Sequence, residues 1–293
     1  MIQLNSRALS VATQKHLQKV RQRIDAKPDF ANQASKAQSE WNSKSGSVTK
    51  AAVFSEIKEK LISMCVGVEV CNYCENNEAT DIEHIYPKSF SPERAFRWEN
   101  YLLSCSTCNS KHKLDRFAIF DPNLFDPFFE IPRGSGKPAN DDGVMINPRV
   151  ENPLEFFWLD IENRTFILNP QLSLDSRGTK RAEYTLKLLG LNDRETLRTA
   201  RKSAASYYID RLERYVKVKE ATTMQSLEAI APEPLFVNTT LPFPEEQERI
   251  KAALQNDIRQ YSHPTVWQEL KRQRAQLPKT NGYFKRAPEA LEW

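Results

Sequence analysis

The chain has 293 residues, with 42 Lys and Arg against 38 Asp and Glu, for a formal net charge of +4. Hydrophobic residues make up 40% and charged residues 27%, which is typical of a folded globular protein and excludes a disordered one. No apolar run reaches the roughly 18 residues that a membrane span requires, and the N-terminus lacks the apolar core of a signal peptide. We therefore expect a cytoplasmic protein without a membrane segment.

The first 64 residues are predicted to form an N-terminal helical region. Apolar residues from Leu9 to Ile24 recur at helical spacing, and Ser6 is the candidate N-cap. A second helix is predicted near residues 49–64, again from an apolar stripe of helical period. The polar stretch between them, residues 32–48, is expected to connect the two helices.

Four of the five cysteines form two Cys-x-x-Cys pairs. They are Cys71 with Cys74, and Cys105 with Cys108. Two such pairs supply the four thiolates of a tetrahedral zinc site, whereas a thioredoxin-like redox site needs one pair in a βαβ setting. Four protein ligands leave no open coordination position, so the predicted Zn²⁺ is structural. The fifth cysteine, Cys65, lies in an apolar stretch and is predicted to be a buried, inert thiol.

Between the two cysteine pairs lies "DIEHIYPKS", in which Glu83 and His84 are neighbours. On a regular strand the two side chains point to opposite faces, so a local twist would be needed to bring both to one phosphate. A carboxylate, an imidazole and a separate oxygen donor are the groups that single-metal phosphodiester hydrolysis requires. Hard oxygen ligands hold Mg²⁺ or Mn²⁺, and a histidine near its ordinary pKa can take a proton from water.

The order Cys-x-x-Cys, Glu-His-Ile-x-Pro-Lys-Ser, Asn-x-Leu-x-x-Cys-x-x-Cys-Asn resembles the HNH (His-Me finger) endonuclease family. That family's ββα-metal module is a β-hairpin followed by a helix. The resemblance implies that His84 is the general base and that Glu83 is a ligand of the catalytic metal. It further implies that Asn100 steadies the loop carrying His84 through a hydrogen bond, and that Asn109 is the second metal ligand.

Two positions depart from the commonest family pattern. Glu83 stands where aspartate is often found, and Asn109 occupies the final position in place of histidine. His112 follows Asn109 by three residues on the same helical face, which makes it a candidate further ligand or phosphate contact. Basic residues around the motif are expected to contact the phosphates of nucleic acid, although each alone would also suit a solvated surface. They are Lys88, Arg94, Lys111, Lys113 and Arg116.

Short aromatic segments and turns are predicted after the module. Asp-Pro and Asn-Pro dipeptides begin at residues 121, 126, 147, 152 and 169. "LEFFWLDIENRTFIL" is predicted to form a hairpin with Glu162 and Asn163 at its turn. A helix ending near Gly190 and a longer helix capped by Asp193 are expected to follow.

Residues 177–219 form a basic block that contains twelve Lys or Arg and five acidic residues. Such a block suits a phosphate backbone, and a solvated helical face is an equally good interpretation. Beyond it, a proline-containing acidic stretch over residues 231–248 resembles a linker.

Together these patterns predict an α+β protein, a mainly helical chain around a small zinc-stapled ββα-metal module with a short β-hairpin region after it. Four regions are expected. They are the helical region 1–64, the nuclease module 65–120, the aromatic hairpin region with basic helices 121–225, and the acidic linker with the C-terminal segment 226–293.

The resemblance extends beyond the module. "CNYCE", "IEHIYPKS", "NYLLSC" and the later "RAEYTLKLLGLN" are similar to HNH proteins of bacterial anti-phage systems of the Septu and retron-associated type. Those proteins usually act with an ATPase partner of the ABC/SMC-like class. The resemblance therefore implies a defence nuclease that is restrained or targeted by such a partner.

These features together predict a metal-dependent endonuclease that hydrolyses phosphodiester bonds of nucleic acid, with DNA as the expected substrate. Two alternatives stay open from the residues alone. A zinc-stapled module could bind nucleic acid or a protein partner without cutting, and an HNH nuclease could attack RNA, such as tRNA.

Overall fold

The computed structural model describes residues 1–66, 68–124, 127–173, 176–231 and 235–293. The chain divides into two compact units. The first comprises Met1–Cys65, Glu69–Trp158 and Phe166–Arg194, and the second comprises Val66–Val68, Leu159–Thr165 and Glu195–Trp293. Within the described residues, no helix is long and apolar enough to cross a membrane.

Three helices open the first unit: α1 (Val11–Asp25), α2 (Phe30–Asn42) and α3 (Val48–Ile62). Each begins after a side chain that accepts a hydrogen bond from a backbone N–H of the first turn, namely Ser10, Asp29 and Ser47. The predicted N-cap of α1, Ser6, is wrong because Ser10 makes that bond. The polar stretch expected to be a connection is also wrong in part, because α2 occupies it up to Asn42.

The cysteine and histidine module begins with an antiparallel hairpin of β1 (Asp81–His84) and β2 (Tyr101–Ser104). Their register pairs Asp81 with Ser104 and His84 with Tyr101. A seven-residue π-helix, Thr107–Lys113, follows and ends where Leu114 takes a positive φ of 52°. The predicted order of two strands and a helix is therefore present.

Short strands and turns build the rest of the first unit. β3 (Ala118–Phe120) pairs with β4 (Phe128–Glu130), and β5 (Phe157–Leu159) and β6 (Phe166–Leu168) form the predicted hairpin. Of the five 3₁₀ turns in the described chain, three lie in the first unit, at Pro92–Arg94, Trp98–Asn100 and Pro153–Glu155, and two in the second, at Arg274–Gln276 and Pro288–Glu292. The predicted turn at residue 126 lies outside the described residues.

Helix α4 (Arg177–Leu188) is the last element of the first unit. It ends as predicted, because Gly190 adopts a left-handed φ of 55° just after the helix. The backbone N–H of Leu191 then reaches the carbonyl of Leu186 at 3.0 Å, which satisfies one of the last helical acceptors.

Among its described residues, the second unit contains five helices: α5 (Glu195–Glu220), α6 (Met224–Ile230), α7 (Phe243–Arg259), α8 (Pro264–Arg272) and α9 (Pro278–Arg286). Helix α5 buries the predicted apolar face, including Leu197, Tyr208 and Leu212. Helix α7 begins inside the stretch interpreted as a linker, and residues 232–234 of that stretch lie outside the described chain. The predicted α+β class is confirmed.

The basic block is largely neutralised by ion pairs. Seven of its twelve cations lie against carboxylates: Arg177, Arg181, Arg198, Arg211, Arg214, Lys217 and Lys219. Another, Arg201, is buried and donates to the Arg164 carbonyl at 2.9 Å. These contacts favour a structural interpretation of the block over a phosphate-binding surface.

Candidate active site and zinc-binding cluster

The four predicted zinc ligands lie together in the first unit. The sulfur atoms of Cys71, Cys74, Cys105 and Cys108 are all within 4.8 Å of one another, and all four residues are buried. The sulfurs of Cys74 and Cys105 are 3.8 Å apart. Zinc–sulfur bonds of about 2.3 Å in a tetrahedron place neighbouring sulfurs about 3.8 Å apart, so the cluster fits Zn²⁺.

Local hydrogen bonds shape the two cysteine turns. The Glu75 N–H donates to the Cys71 carbonyl at 2.8 Å, and Glu75 itself takes a positive φ of 63°. In the second turn the Cys108 N–H points at the Cys105 sulfur at 3.4 Å. Asn72 ties the first turn to strand β2 through two bonds with the Leu103 backbone. The spare residue Cys65 is half-buried and lies outside the cluster.

A guanidinium group lies against the cluster. Arg194 donates to the Cys108 sulfur at 3.4 Å and to the Gly190 carbonyl at 3.2 Å. A zinc ion with four thiolates carries a net charge of −2, which a neighbouring cation stabilises. From the sequence, Arg194 was only one member of the basic block, because nothing local to residue 194 points to a metal site.

Glu83 and His84 line the same cavity, which has a volume of about 410 Å³. They end strand β1, and both are buried. Asn109 lines the cavity from the π-helix, and Trp41 lines it from α2. The hairpin and the π-helix thus bring together the Glu83 carboxylate, the His84 imidazole and the Asn109 amide, which the sequence analysis singled out.

The His84 ring is held in one orientation by its neighbours. Its Nε2 lies 2.9 Å from the Ala95 carbonyl, which also accepts a bond from the Tyr101 hydroxyl at 2.8 Å. Because a carbonyl only accepts hydrogen bonds, Nε2 carries the proton and Nδ1 keeps the lone pair. Burial, followed by the positive charge of Lys88, lowers the pKa of His84 to about 3, so the imidazole is neutral at pH 7.

Asn100 joins the loop after β1 to the start of β2. Its side-chain oxygen accepts from the Tyr86 N–H at 2.8 Å, and its side-chain nitrogen donates to the carbonyls of Tyr86 and Arg94. Arg94 immediately precedes Ala95, whose carbonyl holds His84. These contacts are of the kind that the family resemblance implies, and the role of Asn100 in the reaction stays a prediction.

Lys113 does not contact solvent, which differs from its predicted role as a phosphate contact. Its side chain is 1% exposed, and its ammonium lies 2.6 Å from Glu83 Oε1 and 2.7 Å from the His84 carbonyl. Lys113 is buried here because Glu83 is a buried carboxylate, whose negative charge requires a cation nearby. Burial raises the pKa of Glu83, and the Lys113 ammonium opposes that shift.

The two remaining candidate ligands lie in different places. Asn109 donates from its amide nitrogen to Asp81 at 3.0 Å, and its amide oxygen is the atom that would bind a cation. His112 does not line the cavity. Its ring packs so closely against Gly190 that a Cβ added there would lie 2.7 Å from the His112 Cε1 atom. Burial and then Arg194 lower the pKa of His112.

The other predicted phosphate contacts are dispersed. Lys88 is half-buried and lines the cavity, and Lys111 is exposed. Arg116 makes a two-point ion pair with Glu130, at 2.7 and 3.1 Å. Of the predicted nucleic-acid contacts, Lys88 therefore lines the cavity of the candidate active site, whereas Lys113 is buried against Glu83.

Trp41 is a site residue that the sequence analysis missed. Its ring centroid lies 4.2 Å from that of His84, and the ammonium groups of Lys44 and Lys88 lie 5.0 and 5.9 Å from the ring. A signal for it exists, because Ala37 and Trp41 in the polar stretch recur at helical spacing with Phe30, which lies just before it.

The donor set suits a hard divalent cation. Glu83 and Asn109 both line one cavity, and carboxylate and amide oxygens are the ligands that Mg²⁺ and Mn²⁺ prefer. The Lys113 ammonium is the competing interaction at Glu83. The residues therefore fit a catalytic cation, provided that this ion pair opens or is shared.

Comparison with known proteins agrees with this geometry. Residues 71–114 match the family model described as HNH endonuclease. The Septu protein PtuB of Bacillus mycoides (strain KBAB4) is 25% identical over 142 residues, which cover 43% of this chain and 43% of that protein. The chain thus matches less than half the length of that relative. No solved structure gives a significant match.

The resemblance predicted from the sequence is confirmed: the chain contains an HNH endonuclease module and resembles a Septu protein. The similarity to retron-associated proteins stays a prediction.

Proposed function

We propose that this protein is a metal-dependent HNH endonuclease that hydrolyses phosphodiester bonds of DNA, with His84 as the general base. One observation carries the proposal. The neutral His84 imidazole, with its Nε2 proton held by the Ala95 carbonyl, lies in the same cavity as Glu83 and Asn109. This constellation lies within the segment that matches the HNH family.

His84 acts in this proposal by taking a proton from water at Nδ1. The Ala95 carbonyl keeps the proton on Nε2, so that Nδ1 is the basic nitrogen throughout. Asn100 supports this indirectly, because it holds the backbone at Arg94 beside Ala95. A divalent cation held by Glu83 and Asn109 would supply positive charge to the phosphate and to the departing 3′ oxygen.

The cavity wall supplies the contacts to nucleic acid. Lys88 offers a cation for a phosphate, and the half-buried Trp41 ring offers a flat face on which a base stacks. A Zn²⁺ held by the four cysteines would have a structural role, because these residues lie in the turn before β1 and the turn after β2.

A role in anti-phage defence, together with an ABC/SMC-like ATPase partner, is the second part of the proposal. It rests on the sequence similarity to a Septu protein. Co-purification from cells that express the neighbouring genes tests it directly. An ATPase that elutes with this chain in a defined ratio is the expected result, and elution of this chain alone would contradict the partner.

The nuclease assignment is tested on supercoiled plasmid with Mg²⁺ or Mn²⁺. The substitution His84→Ala removes the base and should slow cleavage by about 10²–10⁴-fold. His16→Ala is the matched control, because His16 lies on α1 and does not line the cavity. Cleavage by His84→Ala at the wild-type rate would refute the role of His84.

The same assay separates the alternative functions. Cleavage of structured RNA, with plasmid left intact, would reassign the substrate to RNA. Binding of nucleic acid without cleavage at any divalent cation concentration would instead favour the zinc-stapled binding module.

A further inference from the structure

The most deeply buried cation near the candidate active site is Lys113. Its side chain is 1% exposed and bridges the Glu83 carboxylate and the His84 carbonyl, at 2.6 and 2.7 Å. The Glu83 side chain is 5% exposed. Each charge is therefore removed from water, and each depends on the other for compensation.

The secondary structure brings this pair together. Asp81 and Glu83 are two residues apart on strand β1 and share one of its faces. Asn109 and Lys113 are four residues apart on the π-helix and reach those same two residues. The π-helix thus contacts strand β1 at two places. The Asn109 amide donates to Asp81, and the Lys113 ammonium pairs with Glu83.

Other charged groups around the cavity do not replace Lys113 at Glu83. Asp115 pairs with Arg133 at 2.5 Å. Lys88 acts on Glu83 through its charge and lies over the Trp41 ring, at 5.9 Å from the centroid. Among the described residues, Lys113 is the cation within hydrogen-bonding distance of the Glu83 carboxylate.

We propose that Lys113 is a positioning residue that neutralises Glu83 while no divalent cation is bound, and that a divalent cation binds at Glu83 in competition with the Lys113 ammonium. This inference rests on the proposed function, in which Glu83 is a metal ligand. Two consequences follow. The wild-type site binds the cation more weakly than a site without Lys113, and the hairpin stays folded when the cation is absent.

The test uses full-length, zinc-loaded protein in buffer without chelator, because a chelator would also remove Zn²⁺. Mn²⁺ is titrated in the absence of nucleic acid, and its binding is followed by calorimetry. Lys113→Met removes the charge and preserves most of the side-chain volume. We expect this variant to bind Mn²⁺ about tenfold more tightly than wild type, or better. The exposed Lys19→Met is the matched control and should bind as wild type does.

Thermal unfolding provides the second measurement. Without Mn²⁺, Lys113→Met should unfold at a lower temperature than wild type, and Mn²⁺ should raise its unfolding temperature more than it raises that of wild type. The double variant Glu83→Gln with Lys113→Met removes both charges and should regain stability in the absence of Mn²⁺. If Lys113→Met alone does not fold, the stability of the double variant relative to Glu83→Gln still tests the inference.

Two results would overturn the inference. One is a Mn²⁺ affinity of Lys113→Met that equals or falls below that of wild type. The other is a double variant that is no more stable than Lys113→Met or Glu83→Gln alone. A protein that shows the expected Mn²⁺ competition and cuts no nucleic acid would refute the proposed function and leave this inference standing. Cleavage of nucleic acid by the wild-type protein, together with a Mn²⁺ affinity that Lys113→Met leaves unchanged, would support the proposed function and refute this inference.

Discussion

At the scale of single residues, the candidate site is organised around backbone carbonyl groups. The Ala95 carbonyl accepts bonds from both His84 and Tyr101, and the His84 carbonyl accepts a bond from Lys113. Buried acceptors of this kind orient side chains because leaving them unpaired is costly. The Ala95 carbonyl therefore positions the His84 imidazole, and Asn100 holds the neighbouring backbone at Arg94.

Replacing Asn100 should affect both stability and activity. Asn100→Ala removes three hydrogen bonds in a buried position, which should lower the free energy of unfolding by about 2–4 kcal/mol. Nuclease activity should fall by about tenfold to a hundredfold, since His84 is less well oriented. Urea unfolding and plasmid cleavage measure the two effects. The exposed Asn256→Ala should change neither, and an Asn100→Ala protein with wild-type activity would contradict the positioning role.

At the scale of elements, Glu40 links the three N-terminal helices. From α2 it contacts Arg23 of α1 at 3.0 Å, Lys36 of its own helix at 2.9 Å and Lys50 of α3 at 3.5 Å. Burial by itself would raise the pKa of Glu40, but hydrogen bonds from Arg23 and Lys36 lower it to about 2. The same helix carries Trp41 into the cavity, so this charge cluster helps to position a site residue.

The lowered pKa of Glu40 predicts a pH-dependent contribution to stability. The folded protein keeps this carboxylate charged at pH values where the unfolded chain protonates it. The contribution is therefore present above about pH 4.5 and is lost as the pH falls toward 2. Glu40→Gln should lower the free energy of unfolding by about 1–3 kcal/mol at pH 7, and its difference from wild type should shrink between pH 5 and pH 3.

Denaturant unfolding of both proteins at matched pH tests this prediction, because any common effect of acid on the four-cysteine cluster cancels in the difference. Glu59→Gln, an exposed change on α3, serves as the control. A difference between wild type and Glu40→Gln that is constant from pH 7 to pH 3 would contradict the lowered pKa.

At the scale of the whole molecule, the four-cysteine cluster draws on residues from widely separated parts of the first unit. Cys71 and Cys74 precede the hairpin, Cys105 and Cys108 follow it, and Arg194 arrives from beyond helix α4. The guanidinium compensates the negative charge that four thiolates leave on a bound zinc ion. The cluster therefore connects the nuclease module to the end of the unit that contains it.

Removing the Arg194 charge should weaken the hold on Zn²⁺. Arg194→Met should lower zinc affinity by about 10–100-fold, as expected when a group that contacts a metal ligand is lost. Zinc transfer to a coloured chelator measures this effect. Arg198→Met is the control, because Arg198 pairs with exposed Glu195. Equal rates of zinc loss from the two variants would exclude a role for Arg194 in zinc retention.

Local patterns in the sequence predicted a substantial part of this architecture. Helices α1, α3 and α5, the β5–β6 hairpin and the stop at Gly190 were all accessible, since apolar periodicity and turn residues act over a few positions. Helix α2 was not predicted, because its few apolar residues are widely spaced among polar ones. Side-chain roles were harder to predict, because a basic residue has the same appearance in the sequence whether it binds phosphate, neutralises a carboxylate or faces solvent.

The sequence by itself identified the four cysteines of the candidate zinc site and the order of Glu83, His84, Asn100 and Asn109. Metal ligation and family motifs depend on residue type and spacing, which are properties of the chain. Only the tertiary structure decided that Lys113 is buried against Glu83, that His112 packs on Gly190 and that Trp41 lies beside His84. These contacts depend on which charges and rings are buried together, away from water. Residues far apart in the sequence meet in this way only when the chain folds.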